Sequence, residues 1–333
     1  MKKIAIAGYH FTGCGVIDDL FREFDNVAQA KSECESRFLQ ETDGVSDLEY
    51  HLVDNPHRKK IDLAIIRFLR YCKQSEKGYV SVYGPNWYQM CEDYVNSLVK
   101  FRYQGYILSH LGEKSSYYPN YVRFMSHLNR FIPKKFRQSS RKNYFPKETI
   151  YHAMPSVEEF LEKTRSFTEK LAQSMITNKK AEYVMIDQMF AGNNPDRYLR
   201  YVNDVKAFVV DRDPRDLYIN QRNMQDHMLP VDPHQFCVHF RDIRKHIGED
   251  NPNVMYLKIE DMIYHYDEMV PKVCDFVGID RSHHITPKKY FDPSISIKGT
   301  RTWERYPQYS EAVKVIENEL PDFLYDYSGV DNA

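Results

Sequence analysis

Four short apolar runs, Lys3 to Ala7, Tyr183 to Ile186, Val205 to Asp211 and Val254 to Ile259, are rich in β-branched residues and are each followed by polar or helix-forming sequence. Strands that alternate with helices pair in parallel and carry the helices on their faces. The fold class expected is therefore α/β, a central parallel β-sheet flanked by helices. The helical candidates are Gly15 to Phe24, Asp62 to Cys72, Trp87 to Phe101, Val157 to Ile176, Arg215 to Met224, Pro233 to Ile247 and Tyr266 to Val277, most with apolar positions three and four apart. Between Tyr103 and Pro155 the character changes to many aromatics and few aliphatics. That stretch reads as a largely helical insertion or lid on a single domain spanning residues 1–333, since no Gly/Ser linker or internal repeat divides the chain.

Charge and cysteine usage exclude several classes. A formal net charge of -1 gives no global basic field, so no nucleic-acid partner is expected. The six cysteines Cys14, Cys34, Cys72, Cys91, Cys237 and Cys274 form no CxxC pair, which suits reduced thiols and leaves no disulfide and no metal site to expect. The apolar run after Met1-Lys2-Lys3 is too short for a signal peptide, and no run approaches the roughly 20 residues a membrane span needs. A soluble, cytoplasmic chain with no transmembrane segment is the expectation.

The first strand runs into Gly8-Tyr9-His10-Phe11-Thr12-Gly13-Cys14-Gly15. A glycine-rich turn between strand and helix aims backbone N–H groups at one point, which suits a phosphate. Its Gly-x-x-x-x-Gly spacing matches a nucleoside-triphosphate loop, but Cys14 and Gly15 stand where that loop needs Lys and Ser/Thr. Without the Lys charge and the Mg²⁺ hydroxyl, phosphoryl transfer loses its main electrostatic support, and a kinase is disfavoured. A plain turn needing glycine only for its backbone angles stays open at this point.

A second anion element lies at Val209-Val210-Asp211-Arg212-Asp213-Pro214-Arg215-Asp216, where an apolar strand ends and a helix carrying Asn220 begins. Arg212 at a strand end can meet a phosphate with a planar, permanently charged fork, and the Asn220 amide can add a hydrogen bond. The alternative is a salt-bridged corner capped by Asp213.

With both elements in view, the chain resembles the sulfotransferase superfamily, with its P-loop-like architecture. Arg212 to Asp216 is similar to that family's 3′-phosphate motif, with Asn220 where a Ser is usual. Met255 to Met262 and Val273 to Ile279 resemble its scaffold strand and helix, and Lys298-Gly299-Thr300-Arg301-Thr302-Trp303 resembles the loop that closes over the nucleotide. The resemblance covers residues 1–50 and about 180–310. It implies transfer of a sulfuryl group from 3′-phosphoadenosine 5′-phosphosulfate to an acceptor hydroxyl, without metal. It also implies nucleotide contacts from Gly8, Thr12, Gly13, Cys14, Gly15, Arg212, Asn220, Lys298, Gly299, Thr300 and Arg301. Phe11 replaces the usual Lys; either His10 beside it, a Lys or Arg elsewhere in the chain, or neither takes over its role, the last implying weak activity, and His10 is the preferred substitute, since imidazole can be cationic near neutral pH.

The family's catalytic base is a His or Glu beyond the first helix. Here Arg37 to Gly44 reads as a second strand ending in carboxylates, and Glu41 is the expected base, with Asp43, His51 and Asp187 as rivals. Arg130, Lys134, Lys135, Arg137, Arg141, Lys142 and Lys147 are interleaved with Phe131, Phe136, Tyr144 and Phe145. That stretch reads as a solvated surface, as a site for an anionic glycan or lipid headgroup, or, last, as a nucleic-acid patch; because the interleaved aromatics can stack on sugar faces, a carbohydrate is the preferred acceptor. A binding module of the same fold without turnover is the alternative, motivated by Phe11 and Asn220.

Overall fold

The computed structural model describes residues 1–30, 34–107, 110, 117–133, 148–176, 178–224, 228–245 and 251–330. Lys134 to Lys147 of the basic stretch, and the aromatics among them, lie outside the described residues. The chain forms two compact units, Met1–Gln40 with Lys77–Pro85 and Thr168–Ala333, and Glu41–Glu76 with Asn86–Phe167.

The first unit holds the sheet. Its strands are β1 (Lys2–Gly8), β2 (Val27–Gln29), β5 (Tyr183–Ile186), β6 (Val205–Asp211) and β7 (Val254–Lys258), in the spatial order β2-β5-β1-β6-β7 and all parallel. The fold class is therefore α/β with a five-stranded parallel sheet. From β1 the chain turns toward β2, whereas from β6 it turns the opposite way, toward β7. Connections that diverge from two neighbouring strands leave a crevice at their carboxyl ends, where ligands of open α/β sheets bind. The register pairs Gly8 with Val210, so the end of β1 and the end of β6 stand side by side, roughly 4.8 Å apart.

Side chains alternate across these strands. Ile4 and Ile6 of β1 and Phe208 and Val210 of β6 join one cluster with Val16, Ile17, Leu20 and Phe21 of the helix Gly15–Phe21, and with Val273, Cys274 and Val277 of the helix Tyr266–Val277. Between them lie the fully buried Ala5, Ala7, Ala207 and Val209. A separate cluster joins the helices Pro214–Asn223, Pro233–Asp242 and Ser310–Glu319. Each fully buried Ile, Leu or Phe in these clusters contributes roughly 1.5–3 kcal/mol relative to exposure, which fixes the strand ends that carry the polar groups below.

The second unit contains the helices Arg58–Gln74 and Trp87–Leu98, the antiparallel pair β3 (Phe101–Gly105) and β4 (Glu148–His152), and the helix Tyr117–Phe131. Asp62, fully buried, ties it together: one carboxylate oxygen accepts from Tyr151 N–H at 2.9 Å and the other meets His110 Nδ1 at 3.1 Å.

Several sequence expectations are corrected. Arg37 to Gly44 is not a strand: Arg37–Leu39 is a 3₁₀ turn, Gly44 N–H closes a turn on Glu41 C=O, and the helix Val45–Glu49 follows. Phe38 and Leu39 are consecutive and both fully buried, which a strand with one face turned outward does not permit. The second strand is instead Val27–Gln29. The first helix stops at Phe21, the helix from Trp87 stops at Leu98 before β3, and Ile259 opens a helix rather than ending β7. Among the described residues no helix is long and apolar enough to cross a membrane.

Candidate anion-binding crevice

The loop after β1 is held by its own side chains. Tyr9 N–H donates to Thr12 Oγ1 at 3.2 Å, Tyr9 OH donates to Gly192 C=O at 2.9 Å, and Phe11 packs against the cluster of the helices Pro214–Asn223 and Pro233–Asp242. That packing explains the absent Lys: position 11 anchors the loop in apolar surroundings. His10 and Phe11 adopt left-handed φ of 75° and 53°, and Gly13 one of 84°. The consequence is a run of backbone donors. Among the described residues, the N–H groups of Phe11, Thr12, Gly13, Cys14 and Gly15 donate to no protein acceptor, and Val16 N–H, on Gly13 C=O at 3.1 Å, is the next one engaged. The helix Gly15–Phe21 has only two turns, so these loop amides rather than a long helix dipole are what an anion there would meet.

Gly8 and Gly13 are needed where they stand. A Cβ on Gly8 would lie 2.4 Å from Cys14 Sγ and from Thr12 Oγ1, and one on Gly13 would lie 2.3 Å from Ile259 Cδ1. Gly13→Ala is expected to destabilise the chain by about 2–3 kcal/mol, from the left-handed backbone and the overpacking together, which urea denaturation measures. Thr12 is buried with its hydroxyl turned into the loop, and burial pushes the Cys14 thiol up to about 12, so Cys14 stays a thiol. Thr12 and Cys14 offer backbone rather than side-chain contacts.

At the neighbouring strand end the Arg-Asp-Pro-Arg-Asp string sorts itself by partner. Asp213 caps the helix Pro214–Asn223 by accepting from Arg215 N–H at 2.8 Å. It also pairs with the Arg215 guanidinium at 2.7 Å, while Glu317 takes Arg215 Nη1 at 3.0 Å and Trp303 stacks on it at 3.8 Å. Arg215 is thereby satisfied. Arg212, 9% exposed, donates from Nη2 to Gly299 C=O, and its buried Nε has no hydrogen-bond partner. Of the two arginines, Arg212 is the one left with donor capacity.

Asp216 brings in the late loop. It accepts from Arg301 N–H at 2.9 Å, Thr302 N–H at 2.7 Å and Thr302 Oγ1 at 2.6 Å, fastening residues 298–302 beside Arg212. Lys298 is exposed there; Thr300 is buried, bonded to Ile297 C=O and Tyr264 OH; Arg301 folds onto Glu304 at 2.6 Å. Asn220 sits one turn after Asp216 on the same helix face, half-buried. Arg212, Asn220 and Lys298 to Arg301 are thus gathered around one strand end, with the loop Gly8 to Gly15 at the adjacent one.

Acidic groups the sequence reading did not single out shape the crevice. Glu260 is fully buried, accepts from Asp213 N–H at 2.9 Å through Oε1, and has no partner for Oε2; burial raises its pKa to about 8. Asp211 is clamped by Arg244 at 2.7 and 2.9 Å, and Arg244 lies 4.3 Å above the Tyr9 ring, which steadies the loop. The rival bases fall differently. Asp187, just beyond β5, has a buried Oδ1 without a partner, and burial, then Asp18 and Glu35, raise it to about 7. Glu41 opens the second unit in the turn closed by Gly44, and Asp43 and His51 belong to that unit too, with Asp43 paired to Arg67 at 2.7 Å. His10 faces Met228 Sδ at 3.3 Å. Among the described residues no cluster of three or more His, Cys, Asp or Glu is placed to hold a metal ion.

The fold is that of an α/β protein, with a candidate anion-binding crevice at the carboxyl edge of its sheet. No family model and no curated protein matches the chain. Two solved structures similar to it are sulfotransferase domains. That of the Synechococcus PCC 7002 olefin synthase is 12% identical, with 90% of this chain and 87% of that one covered and a TM-score of 0.38. That of the curacin biosynthetic pathway is also 12% identical, with 65% and 80% covered and a TM-score of 0.28.

Proposed function

We propose that the chain is a sulfotransferase that holds 3′-phosphoadenosine 5′-phosphosulfate across the ends of β1 and β6. The observation that carries the reading is the juxtaposition of two unsatisfied donor sets, the five loop amides Phe11 to Gly15 and the Arg212 guanidinium, on adjacent parallel strands. A nucleotide with a phosphosulfate at one end and a phosphate at the other matches two such sets on a single crevice. The loop would take the 5′ end; Arg212, with Asn220, Lys298, Gly299, Thr300 and Arg301, would take the 3′-phosphate.

Transfer then needs the acceptor oxygen in line with sulfur and the leaving phosphate. The O–S bond to the acceptor forms, the S–O bond to the 5′-phosphate breaks, and the acceptor proton passes to a base. Fixed amides aimed at the departing oxygen stabilise its growing charge without reorganising. Cys14, kept a neutral thiol, adds no repelling charge beside that oxygen, and Phe11 offers no cation to it.

Thermal unfolding tests the reading. Adenosine 3′,5′-bisphosphate at 100 times its dissociation constant is expected to stabilise the fold by about 2.7 kcal/mol, a shift of several degrees, with ATP giving much less. Equal shifts with both nucleotides refute a site built for the 3′-phosphate. Tight binding without acceptor-dependent release of the bisphosphate would mark a nucleotide-binding module that lacks turnover.

A further inference from the structure

A cavity of about 290 Å³ opens beside the first half of the glycine loop. Its walls are Tyr9 and His10 of the loop, Met228 and Leu229 from the connection after the helix Pro214–Asn223, and His239 and Ile243 at the end of the helix Pro233–Asp242. Gln40 and Asn193 supply amides at its edge. Among the described residues, no Lys, Arg, Asp or Glu lines it. The volume is at the lower end of the ~300–1,000 Å³ typical of small-molecule sites.

We propose that this cavity is the acceptor subsite, that it takes an uncharged alcohol or phenol with an apolar body, and that His239 removes the proton from the acceptor hydroxyl. The inference rests on the sulfuryl-transfer reading above. The cavity shares Gly8, Tyr9 and His10 with the loop, so an acceptor within it lies next to the transferring group. An anionic saccharide would lose its hydration there, and among the described residues no Lys or Arg lines the cavity to pair with it. An apolar ring or chain instead gains roughly 25 cal/mol per Å² removed from water, and a methionine wall adapts to its outline. Met224, Met228, Val231 and Val238 are all exposed along this connection and the helix after it, so apolar surface extends from the cavity mouth.

The electrostatics suit a base. Burial holds His239 below its ordinary value, the Arg244 and His10 charges push the same way, and Asp242 opposes them. The imidazole is therefore neutral near pH 7 and free to accept a proton. In the balanced step, the acceptor oxygen bonds to sulfur as its proton moves to His239, the 5′-phosphate departs with the electron pair of the old S–O bond, and His239 later returns its proton to water.

The full chain, supplied with the phosphosulfate donor, is assayed for bisphosphate release with 2-naphthol, 1-octanol and glucuronic acid. Release is expected with 2-naphthol or 1-octanol and not with glucuronic acid. His239→Asn is expected to lower kcat about 100-fold, the low end for a lost general base, with KM within about threefold and with the acid limb of the kcat–pH profile abolished. Met228→Lys, which brings a cation to the mouth, is expected to raise KM for 2-naphthol about tenfold while kcat holds. Turnover confined to glucuronic acid overturns the acceptor class, as does failure of both apolar alcohols in a chain the bisphosphate still stabilises. Wild-type kcat and pH profile in His239→Asn overturn the base. Absence of any stabilisation by the bisphosphate sinks the sulfotransferase reading itself, which keeps the two failures apart.

Discussion

Arg212→Ala is expected to weaken adenosine 3′,5′-bisphosphate binding about 1,000-fold while leaving the fold intact. Two charge-assisted hydrogen bonds from one guanidinium to a phosphate are worth about 1.5–3 kcal/mol each, and about 4 kcal/mol in all corresponds to that factor. Among the described residues the side chain makes one hydrogen bond, to Gly299 C=O, and leaves Nε unsatisfied, so few hydrogen bonds are lost when it is removed. Arg215→Ala provides the contrast. It breaks the pairs to Asp213 and Glu317 and the stack on Trp303, and should lower stability without a specific effect on the nucleotide. Titration calorimetry on both variants, with urea denaturation alongside, separates the roles. If Arg212→Ala binds the bisphosphate like the unaltered chain, the phosphate does not sit at the end of β6.

What distinguishes these two arginines also marks the limit of sequence reading. The string Arg212 to Asp216 admits both an anion site and a capped helix start, and its residues differ in their partners: Asp213 caps the helix and pairs with Arg215, while Arg212 keeps spare donors. Pattern alone cannot assign them, because the partners Glu317, Gly299 and Trp303 are remote in the chain. The strands β1, β5 and β6 were legible because each is a short apolar run buried on both faces, and β7 because Val254 to Leu257 is a short apolar run, although it is only partly buried. β2, with three residues, has too little pattern to register, and β3 is exposed over Phe101, Arg102, Tyr103 and Gln104, with none of the alternation that marks a half-buried strand. The two consecutive buried residues Phe38 and Leu39 imitated a strand. His239 carries no local signal; it matters because the helix Pro233–Asp242 brings it to the same cavity as His10.

Glu260 lay within a segment that read as scaffold, yet its burial carries a consequence for both stability and binding. Its pKa rises from 4.5 to about 8, chiefly by desolvation; the backbone N–H groups of Asp213 and Glu260 oppose the rise, the Asp213 carboxylate adds to it, and Arg212 opposes it. Between those pH values the folded chain holds a proton that the unfolded chain has released, so this group makes stability fall as pH rises through that window and level off above pH 8. Glu260→Gln, which keeps an oxygen for Asp213 N–H and can never ionise, removes the slope. The variant should match the parent near pH 4.5 and exceed it by on the order of 3–5 kcal/mol at pH 8, read as the difference between two urea-denaturation series. Asp187, also raised, contributes the same slope to both proteins and cancels in the difference. A neutral Glu260 leaves the charge of Arg212 for the 3′-phosphate, so bisphosphate affinity should decline above pH 8 in the parent and stay level in the variant. A difference curve that is flat, or that rises toward acid, would mean that Glu260 is an anion held by Arg212, with that positive charge already neutralised inside the protein.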